Sequence, residues 1–180
     1  VHRAITLTLF AVASIAWWLV APAASALFPL TLQFQDGATG LPIAVRAGVF
    51  TGATSWPPHG PDAQIYQERG NASYFYADGP VTVDVPAGWV SIRAGRGFEY
   101  EPVDTAIIVL ESRSVMVTLH RRVDMNALGW YSGDTHVHIS HPPVVYTLDA
   151  TDLLRVAEAE DLNFINSLEE QPFFTGTVDP

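Results

Sequence analysis

Gly129-Trp130-Tyr131-Ser132-Gly133-Asp134-Thr135-His136-Val137-His138-Ile139-Ser140-His141 is the stretch on which the reading of this chain turns. Three of the chain's six histidines fall inside it. Asp134, His136 and His138 alternate with Thr135, Val137 and Ile139, which is the period of a strand whose successive side chains face opposite ways. On such a strand Asp134, His136 and His138 share one face, while Thr135, Val137 and Ile139 enter a core. Neutral imidazoles two residues apart reach one divalent ion or two adjacent ions, and a strand presents them with little ordering cost. Asp134 is then a further ligand, or the carboxylate that fixes a histidine tautomer. An isolated His-x-His pair is a common accident of sequence. The preceding Gly-Asp, the flanking β-branched residues and a third histidine together make this one a candidate metal site. His141, followed by Pro142-Pro143, stays open between a loop ligand and a solvated side chain.

Beyond Val144-Val145-Tyr146 the period changes to that of a helix. Asp149 is a suitable N-cap, with Asp152 at the third helical position and Leu148 and Leu153 placed as a hydrophobic staple. Leu153, Leu154, Val156 and Ala157 make the apolar side; Arg155, Glu158, Glu160 and Asp161 are polar. Leu162-Asn163-Phe164-Ile165-Asn166-Ser167-Leu168 reads as a second buried strand. Strand, helix and strand in this order predict a βαβ unit with parallel strands.

Upstream, residues 27–123 alternate in short runs between Gly and Pro punctuation. Strands are expected at Leu30–Phe34, Ile43–Phe50, Ser73–Ala77, Val81–Val85, Trp89–Ala94, Thr105–Leu110 and Val115–Leu119. That number of strands without a helical period predicts a mainly β fold, an antiparallel β-sandwich of transthyretin or immunoglobulin-like type. Thr51 to Gly70, rich in Pro and Gly, reads as a long loop of the kind that carries function. Among the aromatic residues, Tyr74, Tyr76 and Trp89 are expected to fill the sandwich, and Trp56 in the loop is kept as a ligand candidate. His59 and His120 are read as a loop-surface and a strand-end residue.

The first 26 residues are set apart. His2 and Arg3 precede an apolar run from Ala4 to Val20; Pro22 breaks it, and Ala24-Ser25-Ala26 supplies the small-x-small pattern of a cleavage site. A secretory signal ending at Ala26 is favoured over an uncleaved anchor, because the run is short for a bilayer span. The chain has 180 residues, a net charge of −10 and no cysteine; its cationic side chains are all arginine. The charge argues against a nucleic-acid partner and against attraction to an anionic membrane surface once the signal is removed. Without cysteine there are no disulfides, thiolate nucleophiles or iron–sulfur clusters, so any metal must be held by His, Asp or Glu.

The run Gly129-Trp130-Tyr131-Ser132-Gly133-Asp134-Thr135-His136-Val137-His138 resembles the opening motif of the polymerase-and-histidinol-phosphatase (PHP) metallohydrolases, and more narrowly their CehA/McbA branch. Phe75 to Gly79, Val85 to Gly88 and Arg96 to Tyr100 are similar to the carboxypeptidase-regulatory-like or transthyretin-like β-sandwich that precedes the catalytic domain in that branch. The resemblance implies that His136 and His138 are the first metal ligands, and that divalent Zn, Mn or Fe activates water against a phosphoester, ester or carbamate in a small-molecule or polymer substrate. It implies a secreted or periplasmic enzyme. The family's second strand often ends in Thr-Asp-His, where this chain has Ser167-Leu168-Glu169-Glu170; the departure leaves the next ligand open, with Glu169 or Glu170 the less favoured substitute. A barrel takes about 250 residues, and residues 124–180 suffice for one βαβ unit. The expectation is therefore the N-terminal part of a metal-dependent hydrolase, inactive at this length. The alternative is a secreted, non-enzymatic β-sandwich binding module with a remnant metal site.

Overall fold

The computed structural model describes residues 26–59, 63–67, 73–138 and 150–168. The expected signal lies outside these residues except for Ala26, as do His141, Asp149, Glu169 and Glu170. Among the described residues the fold is mainly β, with 56% in strands and one α-helix. In chain order the strands are β1 (Leu27–Asp36), β2 (Val45–Thr51), β3 (Thr54–Ser55), β4 (Pro58–His59), β5 (Ala63–Gln67), β6 (Ser73–Ala77), β7 (Val81–Pro86), β8 (Gly88–Gly95), β9 (Val103–Val109) and β10 (Arg113–Leu119). A 3-10 turn at Asn126–Leu128 leads to β11 (Gly133–His138), α1 (Ala150–Ala159) and β12 (Phe164–Leu168). No helix among the described residues is long and apolar enough to cross a membrane.

Two larger sheets make the body, in strand orders β10-β1-β7-β4 and β5-β6-β2-β8-β9, with β3 pairing β2. Alternation decides their inner faces. Leu30, Leu32 and Phe34 of β1, Val81, Val83 and Val85 of β7, and Val90, Ile92 and Ala94 of β8 are all buried, each two residues from the next. They meet Val45, Ala47 and Val49 of β2 and Phe75 of β6 in one cluster drawn from both sheets. Burial of each such Val, Leu, Ile or Phe contributes about 1.5–3 kcal/mol, so this inner layer is the main source of stability. Pairing is antiparallel throughout the body except between β1 and β10, which run parallel from Leu30↔Arg113 to Asp36↔Leu119.

Several expectations need correction. Thr51 to Gly70 is not one open loop, since β3, β4 and β5 lie within it. Trp56, kept as a ligand candidate, packs partly buried against the core, and its indole N–H is taken up by Thr51 Oγ1 at 2.7 Å. Trp89 is 67% exposed, because Val90, Ile92 and Ala94 take the inner positions of β8. In β6 it is Phe75, not Tyr74 or Tyr76, that enters the main core. Tyr76 is buried on the opposite face, where α1 covers it together with Ala44, Val156 and Ala159. Leu154 is 60% exposed, whereas Leu153, Ala157 and Ala159 are buried; the docked stripe of α1 is rotated away from Leu154.

At the end of β1 the body buries one carboxylate. Asp36 Oδ1 accepts from the backbone N–H groups of Ala38 (2.9 Å) and Thr39 (2.8 Å) and from the Thr39 hydroxyl (3.0 Å). Its Oδ2 accepts from the Tyr100 hydroxyl at 2.9 Å. The Thr39 N–H is the largest influence, burial opposes it, and the balance lowers the Asp36 pKa. Burial first, and the Asp36 carboxylate second, raise that of Tyr100.

A group whose folded pKa is depressed stabilises the fold above its unfolded value and loses that contribution as pH falls through the folded one. Asp36→Asn is expected to cost about 1–3 kcal/mol near neutrality, the scale of losing charge-assisted hydrogen bonds to a buried acceptor. The gap between Asn variant and wild type should close as pH falls below the reference value of 3.8. Urea unfolding of both proteins between pH 7 and pH 3 measures this; a gap independent of pH would contradict it.

Candidate metal centre

The candidate strand β11 lies parallel to β12, with α1 between them in sequence. Its entry is shaped by Ser132. The Ser132 N–H donates to Asn163 Oδ1 at 2.9 Å, its hydroxyl donates to the Asp161 carbonyl at 2.7 Å, and its carbonyl accepts from Asn163 N at 3.0 Å. Gly133 sits directly under the Phe164 ring: a Cβ there would meet the ring edge, the far end of a half-exposed side chain, and the ring would have to swing aside. Phe164 is Gly133's partner across the ladder, so its ring lies over the glycine. The Ser-Gly pair that opens the motif is thus explained by the contacts of β11 with the start of β12.

The ladder then departs from regular alternation. Asp134 stands opposite Ile165 and Val137 opposite Ser167, so Thr135 and His136 together span the interval that Asn166 fills on β12. This is a bulge, uncommon in a parallel pair and often found beside functional sites, where it re-aims side chains. Asn166 Nδ2 donates to the Thr135 carbonyl at 3.1 Å. The Asp134 carboxylate folds back to accept from the His136 backbone N–H at 2.9 Å. Ile165 and Ser167 share a face of β12, so the register sets Asp134 with Val137. The expected alternation that would set Asp134, His136 and His138 on one face does not run through this strand: Asp134 falls with Val137, while the His138 backbone pairs at the opposite parity, with Leu168.

Asp134 and His136 are both exposed to solvent. The backbone of His138 pairs with Leu168, and its side chain lies outside the described set. Among the described residues no group of three His, Cys, Asp or Glu side chains gathers to hold a metal; a set built on Asp134, His136 and His138 includes a side chain that is not among them. In donor chemistry the residues fit a divalent ion. Imidazole nitrogen and carboxylate oxygen, without thiolate, suit Zn, Mn or Fe. Asp134, with one oxygen engaged by the bulge, is suited to orienting its neighbour as much as to ligation.

The surroundings are apolar and open. Trp130 and Tyr131 are each 68% exposed, and Phe164 is 51% exposed, beside a sheet of two strands. Two of the cavities lie on the body instead. One of about 200 Å³ is bordered by Gln33, Ile43, Asp78 and Met116. The other, about 290 Å³, is bordered by Arg46, Tyr74, Arg93 and Asp104.

Sequence reasoning missed Ser132, Asn163 and Asn166, which hold the strand, and Asp161, which holds Ser132. A signal existed for Asp161. It ends α1 with φ 55, a left-handed conformation in which Asp and Asn are enriched, and it stands where a helix needs such a residue. Comparison with protein-family models, curated proteins and solved structures gives no match for this chain.

Gly133→Ala should displace the half-exposed Phe164 ring and destabilise by about 1 kcal/mol, the low end of overpacking costs. Phe164→Ala should abolish most of that penalty by removing the ring that the new methyl would strike. Thermal or urea unfolding of the two single variants and the double variant measures the coupling; strictly additive losses would show that the ring does not constrain Gly133.

Proposed function

We propose that β11, α1 and β12 are the ligand-bearing start of a metal-dependent hydrolase of the PHP type, carried behind a secreted carboxypeptidase-regulatory-like β-sandwich. The observation that carries this reading is the parallel pairing of β11 with β12 across α1, with Gly133-Asp134-Thr135-His136-Val137-His138 as the first strand. A parallel sheet led by a His-x-His strand suits a catalytic α/β domain, whose ligands come from the ends of successive strands. The exposed Trp130, Tyr131 and Phe164 accord with such a sheet, because parallel sheets are ordinarily covered on both faces.

In this reading His136 and His138 hold a divalent Zn, Mn or Fe ion, with Asp134 as a ligand or as the carboxylate that orients one. The ion would supply Lewis acidity and a water that ionises near neutral pH, the chemistry needed to hydrolyse a phosphoester, ester or carbamate. The residues of this chain hold and orient. Asp134 fixes the backbone of His136, and Ser132 anchors the strand. Cleavage after Ala26 and a secreted or periplasmic location belong to the same reading.

A second reading is a secreted, non-enzymatic module that binds a polymer or a partner protein through its body. The groove beside Arg46, Tyr74 and Arg93 favours it, since it offers an aromatic face and polar groups, with Arg93 paired to Asp104 and Arg46 to Glu160. Metal analysis separates the two. The purified chain, loaded with Zn or Mn and dialysed, is expected to retain metal, and His136→Ala with His138→Ala should remove at least about nine-tenths of it, as loss of two primary ligands should. Unchanged stoichiometry in the double variant would sink the ligand assignment.

A further inference from the structure

The residue that precedes the candidate ligand strand is tied to a carboxylate that the body grips. Ser132 donates its hydroxyl proton to the Asp161 carbonyl at 2.7 Å, so the position of Asp161 sets where β11 begins. The Asp161 carboxylate in turn accepts from Arg96 Nη2 at 3.0 Å and from Arg121 Nη2 at 3.0 Å. Both arginines belong to the body's side of the junction, and both are fixed by further contacts. Arg96 Nη1 donates to the Ala44 carbonyl at 2.8 Å. Arg121 pairs with Glu99, whose Oε2 also accepts from the backbone N–H of Met125 at 3.1 Å, on the segment leading to β11.

Backbone approach reinforces this grip. Gly97 has φ 48, and a Cβ on it would lie 2.5 Å from the Glu160 carbonyl oxygen and 2.8 Å from Asp161 Cβ. The body's Arg96–Gly97 turn therefore rests directly on the turn that ends α1. Other ion pairs bind α1 to the body, Arg155 to Asp78 and Arg46 to Glu160. Each of these includes a side chain more than a third exposed, and such pairs are screened by water. Arg96, Arg121 and Asp161 are all less than a quarter exposed. Asp161 also touches both sides, the body through its carboxylate and the entry of β11 through its carbonyl.

We propose that Arg96, Arg121, Asp161 and Ser132 are positioning residues, through which the two-sheet body sets the geometry of the Asp134-His136-His138 strand. The body is then a working part of the site and not a tethered accessory. The consequence for strand order stands on the structure alone; the consequence for metal binding rests on the hydrolase reading above.

The test uses the full chain with Asp161→Asn, which keeps the left-handed backbone and removes the charge, and Ser132→Ala, which removes the hydroxyl. Ser132→Thr is the conservative rescue, and Arg113→Gln, an exposed arginine on β10, is the control. Amide hydrogen exchange is followed in residues 133–138 and, separately, in β1 and β7. Exchange in β11 should rise about tenfold or more in both disruptive variants, the change expected for losing one hydrogen bond of ordinary strength. Exchange in β1 and β7 should stay as in wild type, and Ser132→Thr should restore protection. Cobalt(II) titration, read by its visible absorption, should show affinity reduced about 10- to 100-fold, the usual effect of losing a residue that orients a ligand.

Unchanged β11 exchange in Asp161→Asn, with the body intact, overturns the proposal. Should Asp161→Asn also loosen β1 and β7, Ser132→Ala decides alone, and wild-type exchange in β11 of that variant overturns it equally. A wild-type chain that takes up no cobalt, while Asp161→Asn raises β11 exchange, defeats the hydrolase reading and supports the positioning role.

Discussion

The Asp161 carboxylate, held between the Arg96 and Arg121 guanidiniums where α1 ends, is the interaction on which the arrangement of this protein depends. Taking one anion and two cations out of water is costly, and their mutual attraction repays that cost only with good geometry. The net gain in stability is accordingly small. The penalty for breaking the cluster is larger, since it leaves a partly buried charge without its partner. An interaction of this kind selects one docking over its alternatives. It stacks the end of α1 on the Arg96–Gly97 turn, and through the Asp161 carbonyl it fixes Ser132 and the start of β11. Tyr100 belongs to the same assembly. The Arg121 guanidinium lies 4.4 Å from the Tyr100 ring centroid, and the Tyr100 hydroxyl reaches Asp36 at the end of β1. A chain of polar contacts thus runs from the end of the first strand to the entry of the candidate site.

The candidate strand shows how local irregularity and chemistry coincide. Gly133 admits the Phe164 ring, Asp134 ties down the His136 backbone, and Asn166 satisfies the Thr135 carbonyl that the bulge takes out of the ladder. Each of these contacts would be unnecessary in a regular strand. Their presence in a sheet of two strands means that the bulge is held by specific side chains and not by the weight of neighbouring strands. That is the arrangement expected where side-chain direction matters more than ladder strength.

Much of the body was legible in the order of its residues. The runs around Leu30, Val83, Ile92 and Val117 alternate because a two-faced sheet with one dry side demands it, and every predicted strand there is present with ends shifted by a few residues. What the alternation did not tell was which apolar residues lie on the other face. Tyr76 is buried by α1, an element more than seventy positions away, while Trp89 has no such cover. The docked stripe of α1 likewise includes small residues, Ala157 and Ala159, in preference to the larger Leu154. Close approach to a sheet favours small side chains, which is a property of the packed pair and not of the helix.

By itself the sequence determined the mainly β body, the strand–helix–strand order after it and the residue types available for a metal, because periodicity and composition act locally and need no partner. The absence of cysteine confined the candidate donors to histidine and carboxylate before any fold was known. Only the tertiary structure decided that β1 runs parallel to β10, that β11 bulges at Thr135–His136, and that Asp161 links the two parts. Each of these is a contact between segments distant in sequence. Their geometry is set by loop closure, by ring-on-glycine packing and by charges that become strong only once water is excluded.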